Sequence, residues 1–296
     1  MEHQDYEALL LGRTTERRWM EYNWRDAALY ALAVGAGAGD TQYTCEKDMK
    51  AIPTFGVIPY WGILNVFPRL PHPASAPVLA EELLHPEQSF VNLEHEFLYH
   101  RPIDPMKGTF LYRDEIVGVY DRGQGRGMAL QSRVEVCDEG GNLLCTNLCT
   151  TLFPSLGGFG GKPQPKNPVA VPEREPDLVL KDRISAVQHL LYRLTGDTNP
   201  VHWDDGTAKS RGLKGAFVHD LCAFGFACRL GIQGLFPGQP ERLIRMAAQM
   251  KSIVYPDTPV ALFVWRAEEG KAYFRLMNES TGKPVLDRGV LEWKEA

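Results

Sequence analysis

The chain has 296 residues, of which 44% are hydrophobic and 23% charged, and its formal net charge is −5 at pH 7. This is the composition of a globular protein with a sizeable core, and the length suggests roughly two domains of about 150 residues. Because the chain has no basic run, we do not expect it to bind nucleic acid or an anionic membrane surface. No apolar run is long enough to span a bilayer, so we expect no membrane insertion.

The six cysteines predict neither a disulfide framework nor a metal site. In a chain of this length an even count is weak evidence for disulfides, and most of these cysteines lie in apolar or strand-like segments. No two have CxxC spacing, and Cys145 and Cys149 have no histidines nearby. The N-terminus shows no apolar signal segment and the C-terminus no peroxisomal tripeptide. We therefore expect reduced thiols, no bound metal and a cytoplasmic location.

The sequence pattern of residues 1–153 predicts helices followed by strands. A strand near Tyr22 leads into a helix over 27–34 that Asp26 would cap, and a Gly-rich turn follows at 35–40. This turn follows a helix and has Asp40 in place of the last glycine, which argues against a dinucleotide-binding loop. The apolar stretch 52–64 predicts a core helix, kinked or begun near Pro59. Residues 92–99, 108–121, 127–138 and 143–153 predict an antiparallel meander.

The second half of the chain repeats this plan after a Gly- and Pro-rich linker. The linker covers residues 154–177, whose composition opposes both helix and strand. The predicted elements that follow are a strand at 178–183, a helix at 186–194, a polar turn, an apolar helix at 214–230, and strands at 242–255, 260–268, 271–278 and 284–292. We therefore expect an α+β fold with an N-terminal unit (1–153) and a C-terminal unit (178–296).

Residue types suited to proton transfer are concentrated in the polar turn. Asp197, Asn199 and His202 lie within six residues, and Gly196 and Pro200 restrict how the backbone turns there. A carboxylate and an imidazole within reach of one substrate can act as acid and base. The same residue types are common in turns and at helix N-termini, so a purely structural role is the alternative.

A family resemblance covers this turn and the helix after it. Residues 192–202, Tyr-Arg-Leu-Thr-Gly-Asp-Thr-Asn-Pro-Val-His, resemble without gaps the signature of the hydratase 2 group of the MaoC-like hot-dog-fold family. Residues 219–229 resemble the family's buried-helix segment, which begins His-Gly-Leu-Cys, although Asp220 replaces the glycine. Residues 84–88 resemble the family's Leu-Leu-His-Gly-Glu-Gln element, with Pro86 in place of the glycine. The resemblance implies a double hot-dog: two antiparallel sheets, each wrapped around a long apolar helix.

The resemblance also implies an activity. It is the reversible syn hydration of a trans-2-enoyl-CoA to an (R)-3-hydroxyacyl-CoA, or dehydration of such a 3-hydroxyacyl thioester. Asp197 and His202 would be the general acid/base pair, Asn199 would hold the water, and the backbone N–H of Asp220 would donate to the thioester oxygen. The first unit would form the groove for the acyl tail. The acyl-CoA is the substrate, no cofactor is implied, and a homodimer is expected by analogy.

Further residues are candidates for substrate binding. Tyr192, Gly196 and His219 belong to the family-like segments, and packing or a structural role is the alternative for Tyr192 and His219. Three cations on the adjoining loop could contact CoA phosphates, with a solvated basic face as the alternative: Lys209, Arg211 and Lys214.

Asp220 is the main departure from the family pattern, because it places a carboxylate beside a developing oxyanion. Three interpretations are open. A neighbour such as His219 or Arg229 could satisfy the carboxylate, the pocket could suit a substrate with a hydroxyl or a cation, or the hydratase activity could be weakened. Two other functions also remain open. One is an acyl-CoA thioesterase, against which the Asp-x-Asn-Pro-x-His spacing argues, and the other is a non-catalytic acyl-CoA-binding protein.

Overall fold

The computed structural model describes residues 5–60 and 90–295, so the element at 84–88 and the end of the helix predicted at 52–64 lie outside the described residues. The α-helices are α1 (Tyr6–Leu10), α2 (Trp24–Ala33), α3 (Thr41–Thr44), α4 (Gln188–Arg193), α5 (Asp205–Ser210) and α6 (Asp220–Leu235). The strands are β1 (Arg18–Asn23), β2 (Val91–Tyr99), β3 (Lys107–Asp121), β4 (Met128–Cys137), β5 (Leu143–Phe153), β6 (Leu178–Ile184), β7 (Leu243–Met250), β8 (Thr258–Glu268), β9 (Lys271–Asn278) and β10 (Lys283–Trp293). Short 3-10 helices cover Pro53–Tyr60, Pro200–His202 and Pro240–Arg242.

The ten strands found in residues 5–60 and 90–295 all belong to one antiparallel sheet, in the order β1-β3-β4-β5-β2-β7-β10-β9-β8-β6. The five strands before residue 154 form one half and the five after residue 177 form the other. The halves join where β2 pairs with β7, with Glu94 opposite Gln249 and Leu98 opposite Arg245. The expectation of two separate sheets is therefore corrected: two edges that would otherwise expose unpaired N–H and C=O groups hydrogen-bond to each other.

The strand predictions are largely confirmed, because alternating or β-forming residues between turns mark the strands. Leu143–Phe153 and Lys271–Asn278 form strands with the predicted bounds. The strand predicted at 242–255 is too long, since β7 ends at Met250. Beyond it the backbone N–H of Lys251 donates to the carbonyl of Val285, and the Ser252 hydroxyl donates to the carbonyl of Pro284. These bonds pair the chain with the start of β10 outside the regular ladder.

Helix α2 begins earlier than predicted, and its cap is a different residue. Asn23 is the N-cap: its side-chain oxygen accepts from the backbone N–H of Arg25, at 2.9 Å. Asp26 occupies the third helical position and accepts from the backbone N–H of Asn23, at 2.8 Å. The two residues form a capping box, so Asp26 supports the helix start but does not occupy the N-cap as predicted.

Helix α6 is the most deeply buried helix among the described residues. Every residue from 221 to 232 is buried, and the helix packs against β6, β7, β8, β10 and the 3-10 helix Pro53–Tyr60. The prediction that this helix begins at residue 214 is wrong. Residues 214–219 are non-helical because the N–H of Lys214 donates to the Tyr255 hydroxyl and that of Val218 to the carbonyl of Val254.

The two halves of the chain share one hydrophobic core. Helix α2 of the first half approaches α6 so closely that a Cβ on Gly225 would lie 2.3 Å from Cγ1 of Val34. Buried Arg229 on α6 donates to the carbonyl of Val34 and pairs with Asp182 on β6. Among residues 5–60 and 90–295, no helix combines the length and apolar character needed to cross a membrane.

Candidate active site

Gly196 directs the chain from α4 into the candidate site. Its φ angle is +137°, in the range that favours glycine, and it follows directly after the turn that ends α4. The next residue, Asp197, is buried, with 6% of its surface exposed. Its Oδ1 accepts a 3.0 Å hydrogen bond from the backbone N–H of Asn199. The glycine therefore places a carboxyl group in the interior with only part of its hydrogen-bonding capacity used.

Asn199 and Pro200 start the short helix that carries His202. The side-chain oxygen of Asn199 accepts from the backbone N–H of Val201, at 3.3 Å, and Pro200 occupies the first position of the 3-10 helix. The His202 Nδ1 lies 3.0 Å from the carbonyl oxygen of Phe217. Because a carbonyl can only accept, Nδ1 carries the proton, and neutral His202 therefore has an unprotonated Nε2.

His219 joins Asp197 to His202. Its Nε2 donates to the backbone carbonyl of Asp197, at 3.2 Å, and lies 3.8 Å from Oδ2 of the same residue. Its ring stacks on that of His202, with centroids 3.8 Å apart and an interplanar angle of 26°. A residue just before α6 thus fixes both members of the predicted acid/base pair.

Burial shifts the pKa values of this cluster in the directions that favour the uncharged forms of its side chains. It raises the pKa of Asp197 to about 7, with the charge of Asp220 adding to the rise and the Asn199 N–H opposing it. Burial lowers the pKa of His202 to about 4, although its hydrogen bond to the Phe217 carbonyl favours the protonated ring. The pKa of His219 is also lowered, first by burial and then by His202. Near pH 7 the cluster therefore contains a neutral imidazole beside a carboxyl that readily changes protonation state.

Asp220 is the first residue of α6 and lines the same cavity. Its carboxyl hydrogen-bonds to Asn92 on β2, and burial raises its pKa to about 6. The expected partners His219 and Arg229 are engaged elsewhere, His219 with the Asp197 carbonyl and Arg229 with Asp182. The partner of Asp220 therefore comes from the first half of the chain.

These groups line a cavity of about 450 Å³. Of the predicted site residues, six line it: Asp197, Asn199, His202, Arg211, His219 and Asp220. Two parts of the cavity wall were not predicted from the sequence. The first is formed by residues 90–93, and the second is the basic residue Lys251. No local motif could identify the first of these, because it lies about 100 residues before the signature and is brought to the site through the pairing of β2 with β7.

The other predicted substrate-binding residues lie outside the cavity wall. Tyr192 is buried behind it, with its ring 4.9 Å from that of His219. Gly196 acts through the turn that it forms. Lys209 pairs at the surface with Asp205, at 3.4 Å, and Lys214 is exposed. Of the three cations proposed to contact CoA phosphates, only Arg211 lines the cavity.

Asp197, His202 and His219 also have the composition of a small metal site. One potential ligand atom from each lies within 4.8 Å of the other two. One ring nitrogen of each histidine is already hydrogen-bonded to a main-chain carbonyl. The expectation of a metal-free site stays a prediction.

Comparison with known proteins identifies the family. Residues 20–154 match the model of the MFE-2 hydratase 2 N-terminal domain, and residues 168–288 match that of the MaoC-like domain. A 3-hydroxyacyl-thioester dehydratase Y of Mycobacterium tuberculosis is 32% identical over 297 residues, which cover 96% of this chain and 97% of that protein. A peroxisomal enoyl-CoA hydratase 2 of Arabidopsis thaliana is 31% identical over 278 residues, covering 87% of this chain and 85% of that protein.

Solved structures of similar proteins support the same family assignment. A MaoC-like dehydratase from Phytophthora capsici superimposes with a TM-score of 0.86 at 26% identity and covers 99% of this chain and 98% of its own. A Mycobacterium tuberculosis protein described as a double hot-dog fold gives a TM-score of 0.58 at 15% identity and covers 97% of each chain, which shows the fold alone. The architecture is thus a double hot-dog fold. The chain belongs to the MaoC-like hydratase 2 family.

Proposed function

We propose that this protein is a hydro-lyase that adds water reversibly across the double bond of a trans-2-enoyl-CoA to give an (R)-3-hydroxyacyl-CoA. The observation that carries the proposal is the pairing, in one cavity, of a neutral imidazole with a buried carboxyl whose pKa is raised to about 7. An acid and a base with shifted pKa values in a cleft are what proton transfer near neutral pH requires. The names of the relatives support the same reaction class.

The proposed hydration begins with a water held near Asn199 and His202. The Nε2 of His202 takes a proton from this water, and the oxygen forms a bond to Cβ while the electron pair of the double bond moves towards the thioester carbonyl. The protonated carboxyl of Asp197 then delivers its proton to Cα. Transfer of the proton from His202 back to Asp197 restores both residues, so the net change is the addition of one water molecule. Dehydration follows the same steps in reverse.

The start of α6 is the proposed binding site for the thioester oxygen. The first N–H groups of an α-helix have no acceptor within the helix, and the N-terminal end of the helix dipole favours negative charge. The backbone N–H of Asp220 is one of these groups, and Asp220 lines the cavity. Negative charge that develops on the carbonyl oxygen during addition would be stabilised there.

The remaining parts of the proposal concern the rest of the molecule. We propose that the first unit (1–153) shapes the acyl-tail groove, that 154–177 is a linker, and that 178–296 carries the acid/base residues. Arg211 and Lys251 line the cavity and are suited to the phosphates of CoA.

A homodimer and a cytoplasmic location are also proposed; sedimentation tests the first, and imaging of the tagged protein tests the second. Because ionisable side chains supply the chemistry, a chelator should leave the rate unchanged.

One assay separates hydration from its rivals. Purified protein is mixed with trans-2-octenoyl-CoA, loss of the enoyl absorbance is followed, free thiol is titrated, and the configuration of the 3-hydroxy product is determined. The proposal predicts an (R)-3-hydroxyacyl-CoA without free thiol, and loss of this product in Asp197→Asn. Release of free thiol would instead identify a thioesterase. Binding without either reaction would identify a non-catalytic acyl-CoA-binding protein.

A further inference from the structure

Asp220 has a side chain that the proposed hydration does not use. In that reaction the residue contributes only its backbone N–H. Yet Asp220 lines the cavity together with Asp197, His202 and Asn92, the hydrogen-bond partner of its carboxyl, and its pKa is raised to about 6 by burial. A carboxyl in such a place is costly to desolvate unless a hydrogen-bond donor meets it.

The carboxyl is held in a defined orientation by Asn92. The side-chain oxygen of Asn92 accepts from the Thr151 hydroxyl at 3.5 Å and from the Cys149 thiol at 3.7 Å. With its oxygen engaged by β5, Asn92 has its side-chain NH₂ group available as the donor to Asp220. This pair joins the N-terminal half of the chain to the first turn of α6, so the orientation of Asp220 depends on both halves.

The carboxyl keeps acceptor capacity that the described residues do not fill. Among residues 5–60 and 90–295 Asp220 forms no ion pair, and Arg229 on the same helix is engaged elsewhere, with Asp182 and the Val34 carbonyl. A carboxylate offers about four acceptor positions, and Asn92 supplies only one or two N–H donors. Much of the surrounding cavity wall is apolar: Phe90, Val91, Leu93, Leu213, Met250 and Ile253.

We propose that Asp220 is a specificity residue whose carboxyl accepts a hydrogen bond from a hydroxyl on the acyl chain, either on C2, the reacting Cα, or on C4, next to the reacting Cβ. The site would then select hydroxylated acyl thioesters over plain ones. A plain acyl chain would expel water from the carboxyl without replacing its hydrogen bonds, and sites built to bind a substrate hydroxyl discriminate strongly against analogues that lack it. This inference rests on the proposed function insofar as the ligand is an acyl-CoA.

Binding measurements test the proposal separately from turnover. Calorimetric titrations use two ligand pairs: octanoyl-CoA with 2-hydroxyoctanoyl-CoA, and trans-2-octenoyl-CoA with 4-hydroxy-trans-2-octenoyl-CoA. All proteins carry Asp197→Asn to prevent hydration. The comparison adds Asp220→Gly, Asp220→Asn or Asn92→Ala to this background, and Glu173→Gln, an exposed carboxylate on the linker, is the matched control. A thermal melt of each variant confirms that it is folded, and Asp220→Asn serves if the glycine variant does not fold.

In the protein that carries only Asp197→Asn and keeps Asp220, at least one hydroxylated ligand should bind about tenfold more tightly than its plain counterpart, which corresponds to about 1.4 kcal/mol. The preference should fall below about threefold in Asp220→Gly and Asp220→Asn, weaken in Asn92→Ala, and persist in Glu173→Gln. Equal affinities for both members of both pairs, or a preference that survives in Asp220→Gly, would overturn the proposal. Because no step depends on turnover, failure here is distinguishable from failure of the hydratase assay.

Discussion

The rings of His202 and His219 are stacked with their centroids 3.8 Å apart, and they use opposite ring nitrogens for their hydrogen bonds to the main chain. His202 donates through Nδ1 to Phe217, whereas His219 donates through Nε2 to the carbonyl of Asp197. His219 therefore contacts both proposed acid/base residues. We interpret it as a positioning residue, which agrees with the structural alternative considered from the sequence.

Replacement of His219 tests this positioning role. His219→Phe keeps a ring against His202 but removes the donor to the Asp197 carbonyl. An unsatisfied buried carbonyl costs about 1–3 kcal/mol, so Asp197 should shift. We expect kcat for trans-2-octenoyl-CoA hydration to fall about tenfold, with KM changed less than threefold. His219→Gln, which retains an N–H donor, should recover part of the loss. A Phe variant with unchanged kcat would show that the hydrogen bond is not needed.

The pH dependence of kcat/KM follows from the two shifted groups. Hydration needs His202 neutral and Asp197 protonated, so the rate should fall when pH drops through the His202 pKa of about 4. It should also fall when pH rises through the Asp197 pKa of about 7. The expected profile is a bell with those two limbs. A rate that rises steadily through pH 7 would instead require an ionised Asp197 and would reverse the proposed roles.

Much of the fold is predictable from the sequence because strands leave a strong local pattern. Alternation of apolar and polar residues, or richness in β-forming residues, together with the turns between segments, identifies every strand after residue 90 to within a few residues, except for the excess length assigned to β7. The start of α6 is not predictable in this way. Residues 214–219 have a composition compatible with the helix, but hydrogen bonds to Val254 and Tyr255, about 40 residues away, hold them in another conformation.

The candidate site is predictable only for residues that lie close together in the sequence. The signature turn identifies Asp197, Asn199 and His202 as neighbours, and the structure brings all three to one cavity. Asn92 could not be found, because its proximity to Asp220 depends on how β2 pairs with β7. Charge alone also did not distinguish Arg211, which lines the cavity, from Lys209, which pairs with Asp205 at the surface.

The close approach of α2 to α6 predicts that Gly225 does not tolerate a larger side chain. A Cβ on Gly225 would lie 2.3 Å from Val34 and 3.0 Å from the Tyr30 hydroxyl. Gly225→Ala should lower the free energy of unfolding by about 1–3 kcal/mol through overpacking. Gly37→Ala is the matched control, because nothing lies within 4 Å of its added Cβ. Chemical denaturation measures both variants, and an equal effect would refute the close contact.

Buried His95 predicts a specific loss of stability in acid. Its Nε2 lies 3.0 Å from Oδ1 of Asn147, and burial lowers its pKa to about 4. The unfolded chain, with a histidine pKa near 6.5, binds more protons between these values. The contribution of neutral His95 is therefore full above pH 6.5 and lost as pH falls to about 4.

The matching experiment compares unfolding at pH 7 and pH 4.5. His95→Gln should reduce the difference in stability between the two pH values by roughly 2–3 kcal/mol relative to the unmodified protein. His100→Gln, at an exposed position, is the control and should reduce it much less. If the His95 variant keeps the full pH dependence, the acid sensitivity arises elsewhere.

The most direct test of the central claim is a double-mutant cycle on Asp197 and His202, measured as kcat for hydration of trans-2-octenoyl-CoA. The residues are proposed to act as one unit, so each single variant, Asp197→Asn and His202→Gln, should lose about 10³-fold or more. The double variant should be no more than about tenfold slower than the worse single, because groups that act together are strongly non-additive. Substantial activity in either single variant, or losses that multiply in the double, would contradict a joint role.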